Sequence, residues 1–177
     1  GIMKKKRERR IAMLLAIMML VMNLIVSPVW AEPGVVAING LTFPDPNFRE
    51  YVKTNFNTNG DDALSQDELD AVKKINVENK GITDLKGVEY FTGLKELNCR
   101  NNRLTALDLK YNTKLISLLC SSNELTTLNL SENKNLITLY CNDNKLTDLD
   151  LSKNTGLGAL YCNNNQLTNL ALTNTTN

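Results

Sequence analysis

LKELNCRNNRLTALDLKYN, residues 94–112, is followed by LISLLCSSNELTTLNLSEN at 115–133, LITLYCNDNKLTDLDLSKN at 136–154 and LGALYCNNNQLTNLALTNT at 157–175. Each copy starts 21 residues after the one before, and the cysteines keep the same step at Cys99, Cys120, Cys141 and Cys162. The shared skeleton is L-x-x-L-x-C-x-x-N-x-L-x-x-L-x-L. In the first copy it reads Leu94, Leu97, Cys99, Asn102, Leu104, Leu107, Leu109. A fixed period in the range of about 20–50 residues specifies stacked turns and not a globular core. A single turn cannot bury its leucines alone, so each needs neighbours. Function is therefore expected on ladders of exposed residues, not in a catalytic pocket.

Working outward from the repeats, residues 75–96 read as a first, atypical turn. Ile75 and Val77 stand 22 residues before Leu97 and Cys99, and Ile82 and Leu85 stand 22 before Leu104 and Leu107. The additional residue falls in Val88-Glu89-Tyr90-Phe91, which predicts a longer convex side there. Residues 44–74 read as two short helices around a turn. Asp45 or Asn47 is placed to cap the first, with Phe48, Tyr51, Val52 and Phe56 on its apolar face. Ser65 opens the second with Glu68 three places later, a capping box. Residues 32–74 are thus expected to cap the N-terminal end of repeats running over 75–177. The polar Thr173–Asn177 offers no cap at the other end, so the array is expected to continue beyond residue 177.

The N-terminus reads as a secretory leader. Lys4, Lys5, Lys6, Arg7, Arg9 and Arg10 precede an apolar run from Ile11 to Val26, and small or permitted residues lead to a predicted cut after Ala31. That run of 16 residues is shorter than the roughly 20 that a membrane-spanning helix needs, so no membrane insertion is expected after cleavage. The protein is then expected to be secreted or displayed on the cell surface. Without residues 1–31 the chain holds 14 basic and 18 acidic residues, a net charge of −4. No basic stripe remains, which excludes nucleic acid as an expected partner.

The chain contains no histidine, which excludes Ser-His-Asp and Cys-His catalysis and His-ligated metals in this segment. No residue makes it an enzyme by this reading. The cysteines occupy inward positions that call for small apolar side chains. Stacked equivalents point the same way, so Cys99, Cys120, Cys141 and Cys162 are expected to be buried free thiols.

Taken together, the four copies resemble bacterial leucine-rich repeats, in particular the nested 21-residue class called IRREKO. That class alternates L-x-x-L-x-C-x-x-N with x-L-x-x-L-D-L-x-x-N. Residues 75–93 are similar to a 22-residue internalin-like repeat. The last copy departs, with Ala171 in place of Asp and Thr175 in place of the second Asn. The resemblance implies an α/β solenoid, mostly β: a right-handed coil with a short parallel strand at each L-x-C, preceded by a small helical cap. It implies that Asn102, Asn123, Asn144 and Asn165 form an inward structural ladder. It also implies protein or glycan recognition outside the cell. Two other readings remain open: an accessory targeting module of a larger secreted hydrolase or protease, and a passive surface spacer.

Residues 57–68, NTNGDDALSQDE, resemble an EF-hand or dockerin-type calcium loop. The resemblance places Asn57, Asn59 and Asp61 at the first three ligand positions, then the Ala63 carbonyl, Ser65, and Glu68 as the bidentate carboxylate. Asn in place of Asp at the first position and Asp62 where glycine is usual depart from the pattern. A metal-free cap is the other reading.

On the repeat strands, period two points Asn98, Leu119, Tyr140 and Tyr161 outward, followed by Arg100, Ser121, Asn142 and Asn163. Asp143 and Asn164 lie beside them. Tyr140, Tyr161, Arg100, Asn142, Asn163 and Asp143 are the candidate ligand-binding set. The other reading is that the tyrosines merely cover the sheet. Thr105, Thr126, Thr147 and Thr168, with Asp108, Asn129, Asp148 and Asp150, read as a solvated opposite side with no function.

Overall fold

A computed structural model of the chain describes residues 34–172. The expected leader and its cut after Ala31, like the terminal Thr173–Asn177, lie outside the described residues. The described residues from 36 to 172 fall in one compact unit, and Gly34 and Val35 fall in the other.

The 21-residue step becomes strand register. Strands β3 (Lys74–Asn76), β4 (Glu96–Asn98), β5 (Ser117–Leu119), β6 (Thr138–Tyr140) and β8 (Ala159–Tyr161) form one parallel sheet in that order. Ile75, Leu97, Leu118, Leu139 and Leu160 stand side by side across it. The chain is a parallel β-solenoid of leucine-rich repeats with little helix. The first step is 22 residues, Ile75 to Leu97, and the later ones are 21. The additional length is taken up by a 3₁₀ turn, η1 (Val88–Tyr90). On the opposite side, β7 (Asp148–Asp150) pairs with β9 (Asn169–Ala171), also parallel. The equivalent segments of the two preceding turns are not extended strands.

One expectation needs correcting. The strands were expected at L-x-C, but each ends just before its cysteine. The chain must leave the sheet soon after, because Asn101, Ser122, Asp143 and Asn164 all adopt left-handed backbone with φ of 55–56°. Cysteine still completes the ladder: Cys99 N donates to Leu119 O at 2.8 Å, and Cys120 and Cys141 repeat that bond one and two turns on.

Leucine supplies the core by repetition. Leu94, Leu97, Leu104 and Leu109 and their equivalents through Leu151 are fully buried, as are Cys99, Cys120 and Cys141. Neighbouring parallel strands lie about 4.8 Å apart, so identical side chains stack without gaps.

The N-terminal end of the stack is closed by helices. α1 (Pro46–Phe56) begins at Asp45, which rather than Asn47 is its N-cap. Asp45 Oδ1 accepts from Asn47 N and Phe48 N at 2.9 and 3.0 Å. Its Oδ2 accepts from Thr83 N and Oγ1 at 2.8 and 3.1 Å, tying the cap to the first turn. Tyr51 Oη accepts from Asn76 N at 3.1 Å, so the helix also covers a donor on the edge strand β3. Below it, Phe43, Phe48, Phe56 and Phe91 pack with ring centroids 5.3–6.3 Å apart. Strand β2 (Ala63–Ser65) pairs with β1 (Val35–Ala37) and leads directly into α2 (Gln66–Ala71).

Gly87 is the tightest point of this junction. Its φ is +105°, and a Cβ there would lie 2.2 Å from Phe43 Cδ1 and 2.9 Å from Thr42 O. Gly87→Ala is therefore expected to destabilise the fold by roughly 2–4 kcal/mol, because both the backbone conformation and the ring position must shift. Thermal unfolding followed by circular dichroism checks this; an unchanged melting temperature would refute the junction.

Candidate functional site

The outward face of the five-stranded sheet is built by register. Asn98, Leu119, Tyr140 and Tyr161 form one column across β4, β5, β6 and β8. The two tyrosine rings meet edge to face, with centroids 4.5 Å apart and planes at 61°. Tyr140 is half-buried by this contact, while Tyr161 is 53% exposed. One aromatic surface is thus presented to solvent, supported from behind by the other ring.

The polar candidates fall into two groups. Asn142 accepts from Ser121 Oγ at 2.6 Å and donates to Asp143 Oδ2 at 2.5 Å. Asn164 Nδ2 donates to Asp143 Oδ1 at 2.6 Å. These donors hold the Asp143 carboxyl below the usual range. Asn163 is exposed beside them. Arg100 is two turns away and belongs to a separate cluster. It pairs with Glu78 Oε2 at 3.1 Å, and Asn98 and Asn101 donate to the same carboxylate. Glu78 did not stand out in the sequence, because it lies in the atypical turn where the 21-residue alignment does not reach.

Beneath this face lies the asparagine ladder. Asn123 Nδ2 donates to Cys99 O and Cys120 O, both at 3.0 Å, and its Oδ1 accepts from Leu104 N at 3.0 Å. Asn144 and Asn165 repeat the pattern one and two turns on. Asn102 does the same against the first turn, reaching Val77 O, Lys80 N and Ile82 N. A second ladder was not singled out from the sequence, although its 21-residue spacing was visible. It consists of Asn112, Asn133 and Asn154, all buried. Asn133 Nδ2 donates to Leu109 O and Asn112 O at 3.0 Å, and Asn154 donates to Leu130 O and Asn133 O.

The four cysteines are free thiols, three of them buried and Cys162 partly so. Burial pushes the Cys99 and Cys141 thiols up to about 12 and Cys120 well above its ordinary value. A thiol held protonated is a poor nucleophile and a poor metal ligand. On the opposite side, Thr105, Thr126, Thr147 and Thr168 are exposed beside Asp148 and Asp150. A shallow groove runs there between Ala106, Asp108 and Lys110 of one turn and Thr127, Asn129 and Glu132 of the next.

The 57–68 loop is held by its own donors. Asn57 Oδ1 accepts from Gly60 N, Asn59 Oδ1 from Asp61 N and Asp61 Oδ1 from Ala63 N, at 2.9–3.2 Å. Asp62 takes the left-handed conformation, φ 59°, and pairs with Lys53 at 2.6 Å. Glu68 Oε1 accepts from Thr58 N and Oγ1 at 2.7 and 2.6 Å, and Oε2 from Ser65 N and Oγ at 2.8 and 3.0 Å. The carboxylate has about four acceptor sites, and all four are taken. A bidentate calcium ion would have to displace these donors, so the donor set as arranged does not fit the ion. Among the described residues no group of three or more Cys, Asp or Glu could hold a metal.

No protein-family model matches the chain. It is 39% identical to Internalin J of Listeria monocytogenes over 70 residues, 40% of this chain and 8% of that protein. It is 43% identical to Internalin C of the same species over 56 residues, 31% of this chain and 19% of that protein. Among solved structures it is similar to the functional domain of InlJ from Listeria monocytogenes, which includes a cysteine ladder. There the TM-score is 0.68 and the identity 37%, over 78% of this chain and 33% of that one. The chain thus has internalin-like leucine-rich repeat relatives and spans less than a fifth of the length of these two.

Glu68 sets a pH dependence. Burial raises its pKa, but the Thr58 and Ser65 hydrogen bonds outweigh this and hold it at about 2, against an ordinary value of 4.5. The unfolded chain therefore takes up a proton that the folded chain refuses. Stability from this group is complete above about pH 4.5 and is lost as pH falls toward 2. The full effect is about 3 kcal/mol. Glu68→Gln is expected to lower the melting temperature at pH 7 and to flatten its fall between those pH values. An unchanged acid limb would refute the assignment.

Proposed function

We propose that this chain is a non-catalytic binding module that recognises a protein outside the cell through the outward face of its five-stranded sheet. The observation that carries the reading is the Tyr140–Tyr161 pair. A large exposed aromatic, backed by a second ring and rimmed by amides, has the composition of an interface anchor. The internalin-like relatives support a surface or host-interaction role. The leader expected over residues 1–31 supports export, and no helix among the described residues is long and apolar enough to cross a membrane. We assign the repeats to the nested 21-residue class, with a dockerin-like helix–loop–helix serving as a metal-free cap. Asn102, Asn123, Asn144, Asn165 and the four cysteines have structural roles; Tyr140, Tyr161, Asn142, Asn163 and Asp143 face the partner. Arg100, locked to Glu78, stands apart from them.

The module reading is tested with beads bearing the chain on arrays of immobilised extracellular proteins and glycans. Tyr140→Ala with Tyr161→Ala should abolish retention on protein spots while lowering the melting temperature by only about 1–6 °C, the scale of one aromatic pair. Retention unaffected by the substitutions would favour a passive spacer, and retention on glycan spots alone would change the ligand class. For the cap, millimolar calcium is expected to leave the melting temperature unmoved. A clear rise would restore calcium to the 57–68 loop.

A further inference from the structure

The outward face is divided by charge. Over β3 and β4 it carries Lys74, Glu78, Glu96 and Arg100, closed into the pairs Lys74–Glu96 at 2.9 Å and Arg100–Glu78 at 3.1 Å. At the matching positions of β5, β6 and β8 there is no Asp, Glu, Lys or Arg. That half is uncharged instead, with Ser117, Thr138 and Ala159 and then Ser121, Asn142 and Asn163 at those positions, and with Ile137 and Tyr161 each more than half exposed. One carboxylate borders it, that of Asp143.

Asp143 is fixed but not neutralised. Asn142 and Asn164 each donate to one of its oxygens, which sets the plane of the carboxylate without cancelling its charge. The cation nearest in sequence, Lys145, is held by Glu124 at 2.8 Å. Among the described residues Asp143 has no ion-pair partner. Its left-handed backbone does not require an acid, since Asn101 and Asn164 hold the same conformation in the same column. Tyr161 lies on the adjacent strand. Tyr140 stands opposite Tyr161 in the register, so Asp143 stands opposite Asn164, its hydrogen-bond partner, three positions past Tyr161. Three residues span at most about 10 Å even when fully extended, and the ring and the carboxylate each reach out from the backbone, so one long basic side chain can touch both.

We propose that Tyr161 and Asp143 together form the seat for a single arginine or lysine side chain of the protein that docks on this face. The exposed ring takes the cation and its stem, and the carboxylate pairs with the charge. The net charge of −4 over residues 32–177 favours approach of a basic segment. The inference rests on the reading of this face as the docking surface and names the chemistry of the partner.

The test uses the ¹⁵N-labelled chain and two peptides as probes. One is acetyl-Leu-Arg-Leu-amide; the other has citrulline, a neutral isostere, in place of arginine. Amide shifts are followed at Leu119, Tyr140, Tyr161, Asn142 and Asn164. The arginyl peptide is expected to bind about two- to fivefold more tightly, the range of an exposed ion pair, and to lose that advantage in 0.5 M salt. Asp143→Asn should remove the preference while leaving the citrulline peptide's shifts in place. If Asp143 only braces Asn142 and Asn164, the variant will melt lower yet keep the preference, and the inference fails. Equal binding of both peptides on the face overturns the inference but leaves the docking surface standing. Shifts from both peptides confined to the Thr105–Thr168 side overturn the two together.

Discussion

Everything in this molecule depends on how the chain turns off a strand without stranding its backbone. Each of the four 21-residue copies does so in four residues. Cysteine completes the sheet, one residue adopts the left-handed conformation, and an asparagine then folds its amide into the bend. The donor end of that amide bonds carbonyls of its own turn and the preceding one, while its oxygen takes an N–H from the preceding turn. No other side chain of that size offers two donors and an acceptor. A buried peptide group left unpaired costs about 1–3 kcal/mol, so one asparagine decides whether two successive turns can be dry inside. The second ladder, Asn112, Asn133 and Asn154, does half of this at the opposite bend: each amide donates to two carbonyls of the preceding turn, while its buried oxygen takes no donor.

The cap solves the problem the ladder leaves at its N-terminal end. Asp45 starts its helix with one carboxylate oxygen and grips Thr83 with the other. Burial opposes its ionisation, yet the hydrogen bonds from Thr83, Phe48 and Asn47 win and lower its pKa. Glu68 is arranged in the same manner, at a helix start and across a loop. In both cases a carboxylate works as a clamp between segments, which leaves neither oxygen free for other chemistry. On the outward sheet face, by contrast, the Tyr161 ring and Asn163 remain exposed to solvent.

The solenoid, the stacking register and the inward cysteines were legible because a 21-residue step fixes them directly. The capping box at Ser65 and Glu68 was legible for a similar reason, being a local pattern. What a repeat alignment could not show lay where the repeats stop. Glu78, which binds Arg100, sits in the 22-residue turn, and Gly87 matters only through Phe43, which is 44 positions earlier. The strand limits were displaced by one residue because the left-handed conformation at Asn101 and its equivalents carries no distinctive sequence sign; asparagine, serine and aspartate all occur there. The calcium-like loop shows the converse. Its ligand pattern is readable, but the pattern alone could not show that Thr58 and Ser65 would satisfy Glu68 first.

The uniform step also says something about how such a chain can lengthen. Because every interior turn offers its successor the same leucines, the same thiol and the same amide, a gene segment encoding 21 residues could be duplicated or lost by unequal recombination without disturbing any neighbour. The junction built on Gly87, Phe43 and Asp45 has no such freedom, since its partners occur once. Growth and loss should therefore be confined to the interior of the array, while the first turn is inherited as a single block with its helices.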